Sequence, residues 1–218
     1  MAVSADSTRN CSPLCGRVPR ARGLRSEYAG ASVNTIALFP LNIVLFPAGP
    51  LPLRIFETRY VDMVRRCMRE AQEFGVVLIR EGREVGPAET FDVGTVAKIV
   101  DFHQLSDGLL GLSCVGRQRF RIRTRGRQAD GLNLAEVDWL PAEPVVAVPA
   151  RHARLPELLK NVLPQLGEVY TDIEMHPDDA AWVGHRLAEI LPIPLADKQS
   201  FLEMDDPIQR LDGLEPLA

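Results

Sequence analysis

Lysine is scarce in this chain, with Lys98, Lys160 and Lys198 the three present in 218 residues. None follows a glycine, so the G-x-x-x-x-G-K-[ST] loop that cradles nucleotide phosphates is excluded, and a Walker-type ATPase activity has no carrier. Cysteine is sparse too. Cys11, Cys15, Cys67 and Cys114 form no C-x-x-C pair and no zinc spacing with histidine, and they read as reduced thiols of a cytosolic protein. His103, His152, His176 and His185 are scattered without an H-E-x-x-H pattern and read as solvent-facing or locally bonded. No apolar run approaches the roughly 18 residues of a membrane span, and the first 30 residues lack the apolar core of a signal peptide, so a cytoplasmic location is expected. A nucleophile elbow is also missing: Gly111-Leu112-Ser113-Cys114-Val115 has valine where G-x-S-x-G needs its second glycine, and it falls inside a strand pattern. The expectation is a protein with no catalytic residue, no cofactor site and no metal site.

The remainder of the composition is that of an ordinary soluble globular protein, 46% hydrophobic and 25% charged. A net charge of −4 argues against a dedicated nucleic-acid binder, whose domain is usually basic. Residues 1–32 carry five arginines against two acids and no periodic apolar pattern. They read as a disordered tail, although an arginine-rich, acid-poor composition also fits a transit peptide, and an overlong start would look the same.

The chain is organised around Ile36 to Tyr60, IALFPLNIVLFPAGPLPLRIFETRY. Two apolar runs, Ile36–Phe39 and Ile43–Phe46, are each closed by proline. Pro47, Gly49, Pro50 and Pro52 then hold the backbone extended, because proline fixes φ and pushes its predecessor out of the helical region. A strand, an extended crossing and an abrupt helix start are expected. Val61, Val64, Cys67, Met68 and Ala71 form the apolar stripe of that helix, and Gly75 is expected to end it. Phe74–Ile79 reads as a strand buried on both sides. Phe91–Val100 and Leu109–Arg125 form a hairpin about Asp107-Gly108, and Leu132–Leu140 follows the Asp130-Gly131 turn as another strand. Beyond Pro144 the pattern turns helical. One stripe runs from Leu155 to Leu166, and a second from Trp182 to Leu191 is opened by Pro177, Asp178 and Asp179. Two shorter helices follow, over 196–204 and after Asp206-Pro207.

Pro52-Leu53-Arg54-Ile55-Phe56-Glu57-Thr58-Arg59-Tyr60 resembles the "PLxIFExRY" passage of the amino-terminal domain of Lon-type ATP-dependent proteases. Val93-Gly94-Thr95-Val96-Ala97 and the Gly116–Ile122 run resemble its "VGTVA" and "G..RFRI" strands, in that order. Leu191-Pro192, Lys198-Gln199, Phe201-Leu202-Glu203 and Arg210-Leu211 are similar to its "LP…KQ.LLE…RL" ending. The resemblance covers about residues 34–214 and implies an α+β fold: a PUA-like β pseudo-barrel of about six strands with one packed helix over 33–145, then an α-helical subdomain over 146–218. A full Lon protease adds an ATPase module and a Ser-Lys protease domain, for which this chain has no room. The implied function is therefore non-catalytic binding of unfolded polypeptide or a protein partner, as a recognition or adaptor protein. RNA binding is the alternative, since the implied fold is shared with RNA-binding modules.

Two surfaces are candidates for that work. Leu45, Phe46, Leu51, Leu53 and Phe56, with Ile55, are more apolar side chains than one extended strand can bury, so some of them could line a polypeptide groove; packing against the first helix is the plainer reading. Arg117, Arg119, Arg121, Arg123, Arg125 and Arg127 fall on one parity of a strand, with Phe120 and Ile122 on the other. If the strand is regular, the six project from one face at about 7 Å intervals as a basic stripe for phosphates or acidic peptides. A solvated sheet face offset by Glu136 and Asp138 is the plainer reading, and a bulge near Gly116 would break the parity.

Overall fold

The computed structural model describes residues 34–84, 88–170 and 173–218; the tail reading of 1–32, with Cys11 and Cys15, lies outside them. Seven strands form one sheet: β1 (Thr35–Leu41), β2 (Pro50–Ile55), β3 (Phe74–Gly82), β4 (Ala88–Thr90), β5 (Val93–Gln104), β6 (Leu110–Arg127) and β7 (Asn133–Trp139). The switch of partner within β1 closes it into a barrel. Residues Thr35–Leu38 pair antiparallel with β7, and Leu38–Leu41 pair parallel with β3. Pro40 falls past the β7 pairing, where β1 has a partner on one side and a missing N–H is tolerated.

The proline-rich crossing is itself a strand, β2, paired along the first third of β6. Between β1 and β2 the second apolar run is not a strand. Ile43–Phe46 leads into a tight turn in which Ala48 has φ 57°, and Gly116 of β6 exchanges backbone hydrogen bonds with Ala48 and Gly49 (2.9 and 2.8 Å). A Cβ on Gly116 would stand 2.1 Å from the Phe46 carbonyl oxygen, so the crossing requires glycine there.

Helix α1 (Thr58–Glu70) buries Tyr60, Met63, Val64 and Cys67 against Phe39, Leu51, Ile55, Phe74 and Leu112 of the sheet, with the Phe39 and Tyr60 rings stacked at 4.0 Å. Gly75 does not end it. The helix stops on Ala71, held in the left-handed region at φ 51°, whereas Gly75 sits inside β3, where a Cβ would meet Phe120 at 2.6 Å. Phe74–Ile79 is buried throughout, as its unbroken apolar run predicts.

Four helices follow: α2 (Arg154–Val162), α3 (Ala180–Ile190), α4 (Leu195–Glu203) and α5 (Pro207–Leu214). Asp179 caps α3 by accepting from the Ala181 amide, and Asp206 caps α5 from Ile208 and Gln209. Leu155, Leu159, Val183, Leu187, Leu202 and Leu211 share one core with Val44, Phe46, Leu78 and Val93, so the helices pack directly on the barrel.

Candidate functional site

The carboxyl end of α1 and the neighbouring part of β5 frame two adjoining clefts. Cys67 faces the core while Met68, one position on, points outward. Ala71 then turns the chain sharply into β3, leaving a cleft of about 360 Å³ between Met68, Ala71, Gln72 and Glu73 on one side and Lys98–Phe102 on the other. A second cleft, of about 480 Å³, shares Cys67, Ala71, Gln72 and Glu73 and continues past Ile36 to Trp139. β5 carries one extra residue between Ile99 and Asp101 relative to β6. Ile99 packs inward and Val100, the next residue, points outward; Val100 and Phe102 are each 55% exposed beside Met68 at 44%. Three large apolar side chains thus lie open around one concavity. Alternation puts Val100 with Lys98 opposite Ile99, but no local pattern shows that β3 leaves β5 after Ala97 and so uncovers Val100 and Phe102.

Of the five apolar candidates, Leu45, Phe46 and Leu51 are buried and so are corrected to core residues. Phe46 packs under α3, with its ring 5.7 Å from His185, while Leu45 and Leu51 join the core under α1. Leu53 is half-buried. Phe56, 59% exposed, sits at the amino end of α1, away from the cleft at its carboxyl end. The stripe is corrected as well. β6 holds an extra residue between Gly116 and Arg119 and another between Ile122 and Thr124, so parity fails twice. Arg117 and Gln118 are both exposed, whereas Arg119 and Phe120 are both buried. Arg123 pairs with Asp138 (2.5 Å), Arg125 with Asp92 (2.6 Å), and Arg127 donates to the Gly131 carbonyl (3.1 Å). Among the described residues, Arg117 and Arg121 form no ion pair.

Residues 35–215 match the profile of the ATP-dependent protease La (LON) substrate-binding domain. The chain belongs to this family. Lon protease 2 of Myxococcus xanthus is 28% identical over 182 residues, which are 79% of this chain and 22% of that protein. The Lon protease of Escherichia coli K12 is 30% identical over 190 residues, 82% of this chain and 24% of that protein. This Lon-family chain therefore spans less than a quarter of the length of these relatives. The crystal structure of a Lon N-terminal domain protein from Xanthomonas campestris superposes with a TM-score of 0.70 at 36% identity, covering 84% of this chain and 98% of that one. The N-terminal domain of Mycobacterium avium complex Lon protease has the same fold, with a TM-score of 0.60 at 16% identity, covering 84% and 97%.

In this Lon domain the helical half is fastened to the barrel by buried charge. Glu143 receives both Arg210 terminal nitrogens at 2.7 Å and stands 3.1 Å from Arg119 Nη2 and 3.2 Å from His185 Nε2. Arg119 also donates to the Leu202 and Met204 carbonyls (2.6 and 3.0 Å), and Arg210 donates to Phe201 (2.9 Å). Burial alone would raise the Glu143 carboxyl, but His185 and Arg210 outweigh it and hold it at about 2. Burial pushes His185 down to about 4, leaving a neutral imidazole at pH 7. A second clamp joins α3 to the tight turn: Arg186 donates to the Pro47 and Ala48 carbonyls (2.9 and 3.1 Å) beside Glu189. His152 is buried too, between Asp212 (2.8 Å) and Glu215. Of the solvent-facing or locally bonded alternatives, the solvent-facing one is corrected for His152 and His185, which are buried against neighbouring carboxylates.

Among the described residues, no serine or cysteine side chain is hydrogen-bonded to a histidine or carboxylate that could serve as its base. The Gly111–Val115 near-match lies inside β6, and burial pushes the Cys114 thiol up to about 12 and raises Cys67 as well, which makes both thiols poor nucleophiles. Among the described residues, no helix is long and apolar enough to cross a membrane.

Proposed function

We propose that this domain recognises unfolded polypeptide through the cleft beside α1, without catalysis of its own. The observation that carries this reading is the group of exposed apolar side chains, Met68, Val100 and Phe102, around one concavity in a member of a substrate-binding family. Phosphate recognition loses support: one of the six arginines is buried and three are engaged by the domain's own oxygens. Fluorescence anisotropy of the full chain with a reduced, carboxymethylated polypeptide is the test. Binding is expected to survive physiological salt and to weaken at least tenfold in the Val100→Ser/Phe102→Ser variant. Unchanged affinity in that variant sinks the reading, as does salt-sensitive binding of single-stranded RNA without any polypeptide binding.

A further inference from the structure

The strand that borders this cleft has an unfinished edge. β3 pairs with β5 through Thr95, Val96 and Ala97 and goes no further, while β6 follows the opposite edge to Gln104. From Lys98 to Gln104, the outer edge of β5 carries no strand among the described residues. Natural sheets blunt such edges, and β2 shows how: it holds Pro50 and Pro52, which have no N–H to offer. The β5 edge has no proline; Lys98 and the bulge at Val100 blunt its first part, and Asp101–Gln104 beyond them is regular. One of its amides, that of Phe102, donates instead to the carboxylate of its own neighbour Asp101 at 2.8 Å.

We propose that β5 accepts an extended polypeptide segment as an added strand along Lys98–Gln104, with Asp101 giving up the Phe102 amide to a carbonyl of that segment. The proposal rests on the polypeptide-binding reading above and says how the polypeptide is held. A strand edge offers N–H and C=O groups in alternation, and an extended main chain is the partner that answers both. Alternate side chains of such a segment would lie over the cleft, against Met68, Val100 and Phe102. Over the two adjoining clefts the charges balance, Lys98 and Arg66 against Glu73 and Asp101. A segment of alternating apolar residues without net charge is therefore the matching occupant, about 23 Å long for seven residues.

The test uses the full chain and a labelled nine-residue peptide of alternating leucine and threonine, with two analogues N-methylated at every second residue in opposite phase. In a strand, alternate amides point to opposite edges, so strand addition requires one phase to weaken binding at least tenfold while the other leaves it intact. It also requires Asp101→Ala to tighten the unmodified peptide, because the Phe102 amide is then free. Equal binding of both analogues, or an Asp101→Ala variant that binds no tighter, overturns strand addition. If Val100→Ser/Phe102→Ser still abolishes binding in that case, recognition by side chains in the cleft survives. Indifference to that double substitution removes the cleft reading itself.

Discussion

Against α1 the sheet buries Phe39, Phe74 and Leu112 under Tyr60, Met63 and Val64, an apolar contact. Against α3 to α5 it buries Arg119, and Glu143, His185 and Arg210 close over it. The two contacts fail differently. An apolar contact loses stability in proportion to the atoms removed and can repack. A buried charge cluster leaves its remaining members unpaired when one is deleted, which costs more than the lost attraction.

Glu143→Ala sharpens that contrast most. It strands Arg210 and Arg119 in the interior and is expected to cost about 3–5 kcal/mol, read as a lowered denaturant midpoint. A loss no larger than about 1 kcal/mol, the scale of a surface pair, would contradict the assignment of the cluster as the main fastening. Acid is the next lever. His185 takes up its proton near its ordinary 6.5 when unfolded and near about 4 when folded, so stability falls as pH drops through that window, by up to about 3 kcal/mol. Glu143 acts lower. Its contribution is present above 4.5 and is lost as pH falls toward about 2. Denaturation curves between pH 7 and 4 should lose most of their pH slope in His185→Gln. The smallest effect lies on the apolar side: Ala71→Gly relieves the left-handed position at the end of α1 and should stabilise by about 0.5–1 kcal/mol, a shift of a few degrees in Tm.

The elements were legible where periodicity and turn chemistry agree. The unbroken Phe74–Ile79 run and the Asp206-Pro207 cap appear where the pattern puts them, whereas α1 buries Tyr60, Met63, Val64 and Cys67 and leaves Met68 and Ala71 of the expected stripe exposed. Gly108 and Gly131 adopt φ of +84° and +85° at the two predicted turns. What escaped was set by single residues or by distance along the chain. Two one-residue bulges in β6 dissolve the arginine parity, and the end of the β3 pairing at Ala97 leaves Val100 and Phe102 uncovered. Pairs such as Glu143 with Arg210 join positions that no local pattern relates. The run Ile43–Phe46 looks like a strand by composition, yet it turns inward because two cores, under α1 and under α3, both draw on it.

The double allegiance of β1 bears on the order in which the molecule can assemble. Its parallel pairing with β3 needs residues only as far as Leu78, and α1 lies between the two strands ready to cover them. Its pairing with β7 needs Asn133 to Glu136, so ring closure carries the entropic cost of a loop of about a hundred residues. During synthesis the β1–α1–β3 unit can form while the ring is still open, and Arg119 reaches its carbonyl acceptors only after Leu202 and Met204 have emerged. The barrel therefore closes late, and the helices lock it after that, a sequence that pulse-labelled hydrogen exchange during refolding would show as early protection of Val76–Leu78 and late protection of Ala135–Val137.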